Sequence, residues 1–164
     1  MPFAVRAPSL ARLLLPAMLT VLVGCSGNPP PPRTATTAAA QSATLHAGDL
    51  TIRASAVPTS TLAVSVADQY GIQRGDDTVL LLVALRQGPE GREESVPAQV
   101  SVTVTDLSGQ RQDVPMRELL SGDLLDYVGT LDVSAPDTLR FDLRIVREGG
   151  EVSNMQFTRE FHPR

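Results

Sequence analysis

The side chains in this sequence that could do chemistry are few and scattered. There is one cysteine, Cys25, and there are two histidines, His46 and His162. Lysine is absent, so arginine carries all 14 basic charges. Catalysis near neutral pH needs a strong nucleophile or a group that titrates there. His46 and His162 stand far apart in the chain, and neither sits beside an evident partner. No Gly-x-Ser-x-Gly elbow and no Gly-x-x-x-x-Gly-Lys phosphate loop occurs. Zinc wants His and Cys at set spacings, which are missing. Met116 and Met155 suit soft copper, yet neither has a histidine nearby in sequence. Asp76-Asp77 and Asp123 with Asp126 offer oxygens without the alternating acidic ladder of a calcium loop. The 18 carboxylates allow a glycosidase-type pair by number alone. Of Tyr70, Tyr127, Phe141, Phe157 and Phe161, at least three fall on apolar strand positions, so few remain as platforms for sugars. No catalytic residue, metal site or cofactor follows from these groups, and the expectation is a protein that is not an enzyme.

Cys25 has a different setting. Arg6 and Arg12 are the only charges before Arg33, and they precede the apolar run from Leu13 to Val23. This is a positive n-region followed by an h-region of secretory length. Pro16 interrupts the run, which falls short of the roughly 20 apolar residues of a spanning helix. Leu22-Val23-Gly24-Cys25 resembles the lipobox of bacterial lipoproteins. The resemblance implies that residues 1–24 are a signal peptide and that Cys25 is acylated, with the membrane as a partner through the acyl chains. Gly24 is small enough for a tight peptidase pocket, and a thiol is a strong nucleophile toward a lipid donor. Several acyl chains make a durable anchor where a single one binds only marginally. Ser26, rather than Asp, after the cysteine implies the outer membrane of a Gram-negative envelope, facing the periplasm. Once Cys25 is acylated no thiol remains for a disulfide. Residues 25–44, with Pro29 to Pro32 followed by Thr, Ala, Gln and Ser, read as a flexible linker. At about 3.1 Å per residue in polyproline-like parts, it could hold a domain roughly 30–50 Å from the bilayer.

Residues 45–164 suit one domain. Their periodicity is mostly two. Val96, Ala98, Val100, Val102 and Val104 alternate with polar or small residues, as do Leu139, Phe141, Leu143 and Ile145. Leu125, Tyr127, Leu131 and Val133 share one side of another run, and Asp126, Thr130 and Asp132 the other. Such alternation marks strands with one dry and one wet face. Thr78 to Arg86 is almost continuously apolar and reads as a central strand covered on both faces. Leu50 to Ala56 reads as a first strand and Met155 to Phe161 as a last one. Gln87 to Gly91, Ser108-Gly109, Ser134 to Asp137 and Gly149-Gly150 read as turns. Leu62, Ala63, Val66 and Ala67 have helical spacing, with Ser60 or Thr61 as the expected cap and Gly71 as the stop. The expected fold is all-β: an immunoglobulin-like antiparallel β-sandwich of six or seven strands with one short helix near residues 61–70. The Cys-Trp-Cys core of true immunoglobulin domains is absent, since the chain has no Trp.

Four stretches carry a second resemblance: Ser55 to Ile72, ending in Ala67-Asp68-Gln69-Tyr70-Gly71-Ile72; Asp106 to Gln110; Arg117 to Asp123; and Thr138 to Asp142. Together they resemble the uncharacterised secreted family known as domain of unknown function 4426, over nearly all of Leu45 to Phe161. The resemblance implies a small periplasmic sandwich and carries over no catalytic residue. Ser55 and Val57 stand where members of that family tend to have Asn and Phe.

Charge narrows the partners. Without the leader, 12 Arg stand against 18 Asp and Glu, a net of −6. With no basic patch, nucleic acid is excluded as a partner. Asp126, Asp132, Arg140 and Arg144 are expected to pair across neighbouring strands on the wet faces. A tethered sandwich gains effective concentration for a neighbour in the envelope and offers edge strands for β-augmentation. The expected function is a binding or scaffold module for an envelope protein, with Tyr70, Arg74, Arg117, Glu118 and Asp123 as the contact surface. A carboxylate-based hydrolase of envelope material and a carrier of small ligands or metals are the alternatives, and the oligomeric state is left open.

Overall fold

The computed structural model describes residues 42–89 and 91–163. The leader, Cys25 and the linker through residue 41 lie outside the described residues. Ten strands form, in chain order β1 (Ala43–Ala47), β2 (Leu50–Pro58), β3 (Thr78–Gln87), β4 (Glu94–Ser95), β5 (Ala98–Thr105), β6 (Arg111–Val114), β7 (Arg117–Ser121), β8 (Leu124–Asp132), β9 (Asp137–Arg147) and β10 (Val152–Phe161). They make two antiparallel sheets. One has the order β1-β2-β3-β8-β7, with β4 also paired to β3, and the other the order β10-β9-β5-β6. The sandwich architecture is as expected, but the strands number ten rather than six or seven. The additional ones, β1, β4, β6 and β7, lie at sheet edges or span two residues. Such short pieces carry mostly exposed side chains, so apolar alternation does not mark them.

The core follows from period two. Val79, Leu81, Val83 and Leu85 of β3 point inward to join Leu50 and Ile52 of β2 and Phe141, Leu143 and Ile145 of β9 in one cluster. Phe141 stacks on Phe157 with ring centroids 4.7 Å apart. Leu80 and Leu82 point outward beneath a second cluster with Ile72 and Val128. The central strand is therefore covered on both faces.

The second cluster exists because the chain between β2 and β3 folds back over the sheet. A single 3-10 turn, Thr59–Thr61, leads into α1, Val64–Tyr70. Neither Ser60 nor Thr61 caps α1. Its N-cap is Ala63, which makes no side-chain capping bond. The Thr59 and Thr61 hydroxyls are used elsewhere, and the buried Ser60 Oγ has no hydrogen-bond partner among the described residues. Thr59 Oγ1 donates to the Gly75 carbonyl at 3.1 Å and accepts the Gly75 N–H at 2.8 Å, while Thr61 Oγ1 donates to the Pro58 carbonyl. Gly71 does end the helix, at φ 62°, a left-handed conformation that glycine adopts without strain.

Three crossovers carry the chain between sheets, after β4, β6 and β8. After β4, the Ala98 N–H donates to the Tyr127 hydroxyl at 2.7 Å, pinning the start of β5 to β8. After β6, Pro115 and Met116 cross beside Gly129. An added Cβ at Gly129 would lie 2.7 Å from Val114 Cγ1, 2.8 Å from Met116 Sδ and 2.9 Å from the Pro115 carbonyl oxygen. The charges depart in part from expectation. Asp126 does pair across strands, with Arg86 at 2.5 Å, but the two side chains are only 15 % and 9 % exposed. Arg140 pairs instead with Asp142 of its own strand at 3.2 Å, because both lie on the same face of β9. Asp132 accepts from Thr78 Oγ1, and Arg144 makes no ion pair among the described residues. Among the described residues no helix is long and apolar enough to cross a membrane.

Candidate functional site

A groove of about 590 Å³ lies on the outer face of the larger sheet. Alternation along β3 and β8 supplies its floor, Leu80 and Val128. The segment after α1 supplies one wall through Gly71, Ile72 and Gln73, and Pro115 and Met116 supply the other. Arg117 stands at one end, level with Val128 in the strand register. Thr78 and Asp132, directly opposite each other, stand at the far end. Four residues of β8 separate the two ends, about 13 Å at strand rise.

The structure brings together two of the segments expected to form a contact surface. Arg117 Nη2 donates to the Tyr70 carbonyl oxygen at 2.5 Å, and the Tyr70 hydroxyl donates to Ser121 Oγ at 3.1 Å. The end of α1 is thereby tied to β7 at two points. Arg74 turns to the neck of the loop, donating to the Ser60 carbonyl at 2.7 Å, and Gln73 lines the groove instead. Glu118 lies on the opposite face of β7, in register with Tyr127, and Asp123 sits exposed in the β7–β8 turn. Neither lines the groove. Ile72, Leu80, Met116, Val128 and Asp132 were not among the expected residues. Val128 carried a signal, because it places an apolar side chain between Asp126 and Thr130 on a face that otherwise reads as wet.

Three groups have displaced pKa values. Burial pushes the Tyr127 hydroxyl above its ordinary range, the Ala98 N–H opposes this, and the charge of Glu118 adds to it. Asp142, on the outer face of the smaller sheet, is held low chiefly by the Gln156 amide, with help from Arg140. Asp106 is held low by the Ser108 hydroxyl and the Gln110 N–H in the turn after β5. A shallow groove of about 430 Å³ crosses the face that carries Asp142, beside Ser101, Arg144 and Asn154. Asp106, Asp132 and Asp137 line a cleft of about 200 Å³. Among the described residues, no three His, Cys, Asp or Glu gather to hold a metal ion. The main groove offers one carboxylate and one guanidinium around an apolar floor, an arrangement suited to holding a chain.

Residues 44–164 match the model of a family described as a domain of unknown function (DUF4426). Among solved structures, the chain is similar to a DUF4426 family protein from Pseudomonas aeruginosa, with 21% identity and a TM-score of 0.64, over 75% of this chain and 96% of that one. It is also similar to FetP of a uropathogenic Escherichia coli strain, expressed in the E. coli periplasm, with 12% identity and a TM-score of 0.54, over 74% and 94% of the two chains. A copper-bound variant of FetP matches with 10% identity and a TM-score of 0.52, over 74% and 95%. At these identities the likeness is one of fold. No curated protein matches.

Proposed function

The chain belongs to the DUF4426 family, and from that premise we propose that it is a lipid-anchored, periplasm-facing binding module of a Gram-negative envelope, without catalytic activity, which holds an envelope protein in the groove on its larger sheet. The groove framed by Tyr70 and Arg117 carries the reading. It joins an apolar floor, Leu80 and Val128, to an exposed guanidinium that has a carbonyl but no carboxylate as partner among the described residues. Among the described residues its lining contains no thiol, histidine or paired carboxylates. The anchor rests on Leu22-Val23-Gly24-Cys25, and Ser26 favours the outer membrane. A module held near the bilayer meets its partner at high effective concentration.

Copper, held by one FetP structure, is a poor match to the residues here. Soft copper takes methionine and histidine. Met155 is 7 % exposed within the core, and Met116 packs against the core beside Gly129. His46 bonds Thr51 and His162 lies beside Glu160. These four side chains form no ligand set, so a copper-carrier role is not adopted.

In-cell cross-linking of the native protein, with Cys25→Ala and Arg117→Glu variants beside it, tests the reading. Intact-mass measurement should show acyl groups on the native protein and none on Cys25→Ala, which should leave the membrane fraction. A partner cross-linked to the native protein should be lost from Arg117→Glu. An unacylated native protein removes the anchor, and a partner retained by Arg117→Glu removes the groove as its seat.

A further inference from the structure

Strand β8 has an unpaired edge at the groove. On one side it pairs with β3 from Asp126 through Asp132. On the other it pairs with β7 only from Leu124 to Val128, because β7 begins at Arg117 and the preceding Met116 and Pro115 leave for the other sheet. Backbone polarity along β8 can be followed residue by residue. The Val133 N–H donates to the Asp77 carbonyl, and the Leu125 N–H donates to Ser95 Oγ of β4, both on the β3 side. Alternate residues of a strand direct their N–H and C=O to opposite edges. Thr130 and Asp132 therefore direct theirs away from β3, into the lane that β7 has vacated. Both residues are exposed and line the groove. On β3 the matching vacancy beyond β8 is filled by β4, which pairs at Arg86 and Gln87. On β8 nothing fills it among the described residues.

We propose that this edge receives the free C-terminus of a partner protein as an added strand antiparallel to β8. The inference rests on the binding-module reading above and specifies the form of the partner. A strand in the β7 lane that runs antiparallel to β8 passes Asp132 first and Thr130 next. Met116 and Arg117 then occupy the lane, so the strand must end. Its last carboxylate arrives beside Arg117, the guanidinium without a carboxylate partner among the described residues. Its last side chain, opposite Thr130, faces the groove and reaches toward Leu80 and Val128, so a long apolar residue fits there. Thr130 and Asp132 together offer two N–H donors and two carbonyl acceptors to the added strand. This is main-chain recognition with a pocket for side-chain choice.

The test uses the full chain purified in detergent, with a pool of random hexapeptides that end in leucine and carry a free carboxylate, and the same pool amidated. The free-carboxylate pool should bind and slow hydrogen exchange at the Thr130 and Asp132 amides. Amidation, or Arg117→Gln, should weaken binding about tenfold, as expected for losing a charge-assisted bond. Asp132→Pro removes an edge donor without touching the backbone pairing to β3, and should weaken binding, while Asp132→Asn, which keeps an acceptor for Thr78 Oγ1, should leave it intact. No binding, or binding that leaves those two amides exchanging at the unbound rate, overturns strand addition. In that event, a partner cross-linked to native protein but not to Arg117→Glu would leave the binding-module reading standing. Absence of both would remove both.

Discussion

Arg117 and Tyr70, 47 residues apart in sequence, are joined by a single bond from the guanidinium Nη2 to the tyrosine carbonyl oxygen. The contact fixes the closed end of the groove and ties β7 to the loop that carries α1. An exposed charge-assisted bond of this kind contributes about 1 kcal/mol. Arg117→Ala should lower the urea midpoint, at an unchanged slope, by that free energy divided by the slope, and Arg117→Lys, which keeps a donor, should recover part of it. An Arg117→Ala protein that unfolds at the wild-type midpoint would show the tie to be energetically idle.

Tyr127 links β8 to the start of β5 and is 3 % exposed. Tyr127→Phe leaves the Ala98 N–H without its acceptor and should cost about 1–3 kcal/mol. The displaced hydroxyl also sets a pH dependence. Burial raises its pKa, so the fold prefers the protonated form. Its contribution is fully present below the ordinary tyrosine value of 10.0 and is lost as pH rises through the raised value. Urea midpoints measured at neutral pH and near the ordinary tyrosine pKa or about one unit above should fall for wild type and stay flatter for Tyr127→Phe.

Arg86 and Asp126 form a nearly buried pair, and Arg86 Nη1 also donates to the Leu85 and Leu125 carbonyls at 3.0 Å. Removing either partner strands the other charge, at a cost of about 3–5 kcal/mol. The double variant Arg86→Met with Asp126→Leu should cost far less than the sum of the single changes. A double-mutant cycle measures this directly, and additive losses would contradict it.

Gly129 admits no side chain. Its new Cβ would meet a backbone carbonyl, that of Pro115, which cannot swing aside as a methionine can. Gly129→Ala should lower stability by about 1–3 kcal/mol through overpacking, read as a drop in thermal midpoint. If paired with Met116→Ala, part of the loss should return. No recovery would place the strain at Val114 and Pro115 alone.

Much of the sandwich is legible in the sequence because its inner strands must be. β3 and β9 run through the core: the unbroken apolar run of Val79 to Leu85 marks a strand covered on both faces, and the alternation of Leu139 to Ile145 marks the buried face of β9. β7 is different. Of Arg117, Glu118, Leu119, Leu120 and Ser121 only Leu119 is even half-buried, and Leu120 is 71 % exposed. An edge strand of that kind has no dry face to announce it. The same limit applies to the site. Tyr70 and Arg117 could be singled out as segments, but their meeting depends on how the loop after β2 folds over the sheet. That in turn depends on hydroxyl bonds at Thr59 that no periodicity encodes. The Ser60 and Thr61 caps failed because the helix starts later, at Val64, while Thr61 Oγ1 bonds the Pro58 carbonyl and the buried Ser60 Oγ has no hydrogen-bond partner among the described residues. The groove floor was readable only through Val128, whose apolar character makes sense once Ile72 and Leu80 are seen beside it.

The closed neck at Thr59 and Gly75 makes the segment between them an interchangeable cassette. One buried hydroxyl holds both ends at a point, so where the segment leaves and rejoins the sheet is fixed separately from the contacts that Tyr70 and Ile72 make on it. Closure entropy grows slowly, about 0.6 kcal/mol for each doubling of loop length. The exposed stretch 63–66 can therefore be lengthened or exchanged between fixed posts, altering the loop above the groove while Tyr70 and Ile72 keep their seats on the sheet.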